Sequence, residues 1–88
     1  MAYTVKLVPT ATKQLAALPK PVQKRVARWI DLIATDPRRP TSRQLERYPD
    51  LRRVHASKDY VIVYSILDAE VIVLVVRIAH RREVYRRL

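Results

Sequence analysis

The chain has 88 residues, with 18 lysines and arginines against 8 aspartates and glutamates, a formal net charge of +10, and neither cysteine nor glycine. This length suits a single domain, 1–88, around one core, and an apolar content of 49% excludes a disordered polybasic tail. Without cysteine there are no disulfides, zinc knuckles or thiol nucleophiles; without glycine there is no phosphate-cradling P-loop or dinucleotide fingerprint.

Tyr3, Val5 and Leu7 alternate in the opening segment and predict a first strand ended by Pro9. Ala11, Leu15 and Leu18 then recur at helical spacing, with Thr10 as the expected N-cap and Pro19 as the stop. A second helix is predicted from Pro21, a residue suited to a first turn. Its apolar positions Val22, Val26, Trp29, Ile30 and Ile33 form one stripe, with Lys20, Lys24, Arg25 and Arg28 on other faces.

Asp36-Pro37 ends that helix. The stretch from Arg38 to Asp50 reads as a basic connecting loop with a short turn around Gln44 to Arg47. Three β segments follow, Leu51 to Ala56, Tyr60 to Leu67 and Val71 to Ala79. The gaps between them are of hairpin length, and with no glycine they call for longer loops than the tight glycine turns. Consecutive strands so connected pair antiparallel. The expectation is an α+β fold: an N-terminal strand, an antiparallel two-helix hairpin, then a three-stranded antiparallel β-meander. The helices cover one sheet face and leave the other for function. The longest apolar run, Val71 to Val76, is far short of the ~20 residues of a membrane span, so neither a membrane nor a secretory segment is expected.

The charge points to a polyanion or an acidic protein partner. Five of the basic residues are lysines (Lys6, Lys13, Lys20, Lys24, Lys58) and the rest are arginines, which suit bidentate phosphate contacts and stacking. Arg53 and His55 share one face of a predicted strand, about 7 Å apart by strand rise, where a guanidinium and an imidazole can grip a phosphate and offer a titratable proton. A solvated strand edge is the other reading of that pair. Arg81 and Tyr85, four residues apart, share one side of the final segment; an arginine can offset developing phosphorane charge and a tyrosine can stack on a base or take a proton. A basic tail stapled by Tyr85 fits the same spacing. His55 and His80 lack an obvious third ligand, and no metal is expected.

The chain resembles toxins of the RelE/ParE superfamily of type II toxin–antitoxin modules along nearly all its length. The residues that carry the resemblance are Tyr3-Thr4-Val5, Leu18-Pro19, Asp36-Pro37, Leu45, Leu51-Arg52-Arg53-Val54 and Asp59-Tyr60-Val61-Ile62-Val63-Tyr64. The most specific stretch is Ile78-Ala79-His80-Arg81-Arg82-Glu83-Val84-Tyr85. The resemblance is closer to the RNA-cleaving RelE branch. It implies a RelE-like fold and a cytoplasmic, ribosome-dependent mRNA endoribonuclease without metal or cofactor, in which a 2'-hydroxyl attacks the adjacent phosphate. The implied partners are a cognate RelB-like antitoxin, the ribosome and mRNA, with operator DNA bound only through the toxin–antitoxin complex.

Carried over, Arg53, His55, Arg81 and Tyr85 are the catalytic set, with Arg81 as the transition-state arginine. Arg52, Lys58, Arg77, Arg82 and Arg86 are implied RNA contacts. Two features depart from the family. Val61 stands where RelE-type enzymes usually have a basic residue, and Lys58 and Ala79 stand where glycine is usual. Losing such a charge is worth on the order of 3 kcal/mol of transition-state stabilisation, with Arg77 or Arg52 as candidate replacements. Val61 also supports the alternative implied by the superfamily, a ParE-like inhibitor of DNA gyrase without ribonuclease activity. An inactive relic that binds a partner or operator DNA through charge is a third reading.

Overall fold

The local patterns assemble into a layer of two helices on a five-stranded sheet. The computed structural model describes residues 2–86, so Met1, Arg87 and Leu88 of the single-domain reading lie outside the described residues. In chain order the elements are β1 (Thr4–Leu7), α1 (Pro9–Ala17), α2 (Lys20–Thr35), β2 (Arg43–Gln44), β3 (Leu51–His55), β4 (Tyr60–Leu67), a 3-10 turn (Asp68–Glu70) and β5 (Ile72–His80). The sheet order is β1-β5-β4-β3-β2, with β1 parallel to β5 and the remaining neighbours antiparallel. Among the described residues no helix is long and apolar enough to cross a membrane.

The α2 stripe faces the sheet as its spacing requires. Val26 and Ile33 are fully buried with Ala11 of α1 against Val54, Ile62, Tyr64, Val73, Val75 and Ile78. Alternate residues of β4, Val61 and Val63, belong to a second, smaller cluster on the opposite face, closed by Val84 and flanked by Leu45 and Leu51. This explains why four consecutive residues, Val61 to Tyr64, are all buried: β4 is covered by helices on one side and by the chain's final turn on the other.

Helix α1 starts at Pro9, two residues earlier than a Thr10 N-cap implies. Val8 occupies the N-cap without a side-chain bond, so Thr10 does not cap it. Proline's fixed φ suits a first turn and its missing N–H loses nothing there. Beyond the end of β1, the outward N–H of Ile78 in β5 is satisfied by Gln14 Oε1 of α1 at 2.8 Å.

Two connections differ from expectation. The segment read as loop contains β2, whose Arg43 and Gln44 pair with Arg53 and Arg52, while Leu45 N–H donates to the Leu51 carbonyl at 2.9 Å. Two residues of strand are too few to show any period. The same segment is tied down by the Tyr64 hydroxyl, which donates to the Pro37 carbonyl at 2.6 Å, and by Arg39, whose guanidinium lies 5.5 Å from the Trp29 ring centroid.

The second difference is Val71, expected to open the last strand. It instead ends the 3-10 turn at φ 54° and ψ 45°. This is the left-handed region a β-branched residue avoids, entered here by a chain with no glycine to offer. Val71 is partly exposed and loses little packing on substitution, so Val71→Gly is expected to raise stability by about 1 kcal/mol, read from urea unfolding midpoints.

On the surface nearby, Arg38 bonds both carboxylate oxygens of Asp68, at 3.1 and 2.7 Å, and the Tyr3 hydroxyl donates to Asp68 Oδ1 at 2.8 Å. The Arg38 guanidinium, and after it the Tyr3 hydroxyl, hold the Asp68 carboxyl below its usual range. A depressed carboxyl contributes stability that is present above its unfolded value and lost as pH falls through its folded one. Asp68→Asn is therefore expected to lower the unfolding midpoint slightly near neutrality. The difference should vanish once pH lies well below the ordinary carboxylate range of about 4. Denaturant midpoints of the two proteins across acidic pH check this.

Candidate nucleic-acid interface

The sheet face turned away from the helices carries the predicted residues. In β3, alternation places Leu51, Arg53 and His55 on that face and Val54 in the helix-side core. Pairing of β2 with β3 sets Arg43 directly opposite Arg53. Like charges so placed repel, and an anion between them relieves the repulsion. The chain after β5 turns back over this face, its Val84 N–H donating to the His80 carbonyl at 2.9 Å. This turn brings Arg81 and Tyr85 to the same place.

Arg53, His55, Arg81 and Tyr85 thus line one open groove of about 720 Å³, together with Arg43, Arg47 and Tyr48. Four arginines and a histidine face a single carboxylate, Glu46. Tyr48 is 39% and Tyr85 45% exposed, so aromatic surface stays open beside the guanidinium groups. Arginines that fork onto phosphate oxygens, interleaved with aromatic faces on which bases stack, are the parts of a single-strand nucleic-acid site.

Arg81 is held at its root. Its N–H donates to the Asp59 carbonyl at 2.7 Å, and its Nε lies 3.6 Å from Asp59 Oδ1, both side chains being about half exposed. The long ion pair orients the guanidinium without burying it.

The remaining basic residues are distributed differently. Arg52 lies on the opposite face from Arg53, where its Nε and Nη2 donate to Ser42 Oγ at 3.1 and 2.8 Å. Lys58 sits in the β3–β4 connection beside Pro21, Val22 and Arg25 of α2, in a separate cleft of about 240 Å³. Arg77 is on the groove side but beneath the final turn, where its Nη1 donates to the carbonyls of Val84, at 3.1 Å, and of Arg86. Arg82 and Arg86 are exposed on that turn, outside the lining of the groove. Neither Arg52 nor Arg77 therefore stands in for the basic residue that Val61 lacks. The extra charge in the groove comes from Arg43 and Arg47, in the proline-bounded stretch whose sequence reads as a connecting loop. The available signal was the density of arginine, with a tyrosine, between Pro40 and Pro49.

His80 is on the helix side, its ring edge-on to Tyr60 at 5.6 Å between centroids, and its Nδ1 accepts the Arg82 N–H at 3.2 Å. It cannot share a ligand with His55 across the sheet. Among the described residues no group of three or more His, Asp or Glu side chains could hold a metal ion.

A family model described as the ParE toxin of type II toxin–antitoxin systems, parDE, matches residues 5–85. Among solved structures, the chain is similar to the RelBE2 toxin–antitoxin complex of Mycobacterium tuberculosis, with 25% identity, a TM-score of 0.82 and coverage of 92% of this chain and 100% of that one. It is also similar to the archaeal RelE–RelB complex of Pyrococcus horikoshii OT3, with 26% identity, a TM-score of 0.78, and 94% and 99% coverage. The isolated RelE toxin of E. coli shares the fold, with 24% identity, a TM-score of 0.79, and 90% and 84% coverage. No curated protein matches the chain.

Proposed function

Because this chain belongs to the ParE toxin family of type II toxin–antitoxin systems and has the fold of RelE toxins, we propose that it is an endoribonuclease that cuts mRNA in the ribosomal A site. The observation that carries the reading is the meeting of Arg53, His55, Arg81 and Tyr85 in one arginine-rich groove. The reaction needs a nucleophile that the RNA itself provides. As the 2'-oxygen bonds to the adjacent phosphorus, the bond from phosphorus to the 5'-oxygen breaks, leaving a cyclic phosphate and a 5'-hydroxyl.

In this reading Arg81 and Arg53 balance the charge that grows on the non-bridging oxygens, which is where fixed cations lower a barrier most. His55 and Tyr85 are the groove's proton carriers: one takes the 2'-hydroxyl proton and the other supplies the proton that the 5'-oxygen needs. Arg43 and Arg47 hold the flanking phosphates, and Tyr48 and Tyr85 offer stacking surfaces. The same basic groove suits an acidic or amphipathic segment of a RelB-like antitoxin, by analogy with the RelE–RelB complexes. The ribosome is the working partner, the cytoplasm is the compartment, and operator DNA is reached only through the antitoxin complex.

Toe-printing on translating ribosomes tests the proposal. New 3' ends at the A-site codon are expected with the wild-type chain, and a 2'-deoxy substitution at the scissile nucleotide should abolish them. Intact mRNA under these conditions overturns it.

A second reading, a ParE-like inhibitor of DNA gyrase, is favoured by Val61. That position, usually basic in RelE-type enzymes, is fully buried here under Val84. Loss of gyrase supercoiling with mRNA left intact is the outcome that selects it.

A further inference from the structure

We infer that Arg77 is a positioning residue, holding the main chain on both sides of Tyr85 so that the phenol stays in the groove. The kinetic consequence of this inference rests on the ribonuclease reading, whereas the positioning itself does not.

Strand β5 changes parity part-way along its length. Its register against β4 slips between Val63 and Tyr64, so that Tyr64 faces Val75 and Val63 faces Arg77, with Val76 left over. Plain alternation would put Arg77 on the same face as Val73 and Val75, among the helices. The extra residue turns it to the groove face, in line with Val63 and Arg53 across the sheet. A guanidinium there would be expected to reach into the groove, yet Arg77 is not among the residues that line it.

Arg77 is instead committed to the final turn. One nitrogen, Nη1, donates to the carbonyls of Val84 and Arg86, the residues immediately before and after Tyr85. Its Nε is buried and has no acceptor among the described residues, a cost that is tolerated where the rest of the group does necessary work. Val84, fully buried against Val61 and Val63, pegs the turn from below. Tyr85 is left half exposed at the groove.

Arg81 is moored separately, by its N–H on the Asp59 carbonyl. Loss of Arg77 should therefore free Tyr85 and leave Arg81 in place. This also gives a physical account of Val61. On a face where the tail is pegged by valines, a charged residue at position 61 would lie under Val84.

The test uses the full chain labelled with fluorotyrosine. Its five tyrosines give separate fluorine resonances, the Tyr85 signal being identified by its loss in Tyr85→Phe. In Arg77→Gln and Arg77→Met the Tyr85 signal is expected to narrow and move to the solvent-exposed position, with the signals of Tyr3, Tyr48, Tyr60 and Tyr64 unmoved. Arg77→Lys, which keeps a cationic donor for the two carbonyls, should restore most of the wild-type shift. In the ribosome assay, Arg77→Met should lower kcat by about 10- to 100-fold with KM changed by less than about threefold. Adding Tyr85→Phe to it should cost nothing further, because the two act as one unit. A Tyr85 signal that does not move, or five signals that move together in both the Gln and Met variants, overturns the inference. If wild-type mRNA cleavage is absent, the fluorine result still decides the positioning, so failure of the ribonuclease reading and failure of this one are told apart.

Discussion

Arg81→Ala is expected to slow mRNA cleavage on ribosomes by about 10²- to 10³-fold, the usual consequence of removing one donor aimed at developing oxyanion charge, and to relieve growth arrest. The fold should survive. Arg81 is exposed, its ion pair with Asp59 is 3.6 Å long, and surface pairs of that kind contribute about 0–1 kcal/mol. An unfolding midpoint close to wild type, together with lost cleavage, places the effect in the chemistry. Arg81→Lys keeps the charge but loses the planar fork that matches phosphate, and an intermediate rate is expected from it. Wild-type toe-prints from Arg81→Ala would remove this arginine from the site.

The largest effect on stability is expected at Tyr64. It is fully buried in β4, packs in the helix-side core and donates its hydroxyl to the Pro37 carbonyl. Tyr64→Ala opens a cavity of aromatic size, expected to cost about 3–5 kcal/mol. That is a large share of the roughly 5–15 kcal/mol that holds a domain folded. Tyr64→Phe keeps the packing and strands one buried carbonyl, for about 1–3 kcal/mol. Urea unfolding with unchanged m-values separates the two. The hydroxyl bond also ties the core to the segment that delivers Arg43 and Arg47 to the groove, so Tyr64→Phe is expected to weaken RNA binding more than its stability loss alone explains.

Much of the architecture was legible along the chain. The bounds of β4, Tyr60–Leu67, follow from its apolar run, and the α2 stripe from Val22 to Ile33 marks the buried side of that helix. Asp36-Pro37 ends α2 because proline cannot continue it. Arg53 and His55 share a face by period two alone. Strand β2 was not legible, since its two residues take their conformation from β3 rather than from their own pattern. Nor was the parallel pairing of β1 with β5, which joins segments at opposite ends of the chain.

The sequence by itself determined the excess of arginine, the absence of glycine, the helix and strand periods, and the resemblance whose motifs name Arg53, His55, Arg81 and Tyr85. Those properties are written in single residues or in spacings of a few positions, and side-chain chemistry and local sterics suffice to read them. Tertiary structure decided which of the other arginines could join that set. Arg77 was moved to the groove side by a one-residue slip and then covered by the tail, Arg43 was brought in by the pairing of β2 with β3, and Arg47 by the connection between those two strands. Each of these outcomes depends on the hydrogen-bond register between strands. A single added residue in a strand reverses the face of every side chain beyond it, and no local pattern records that step.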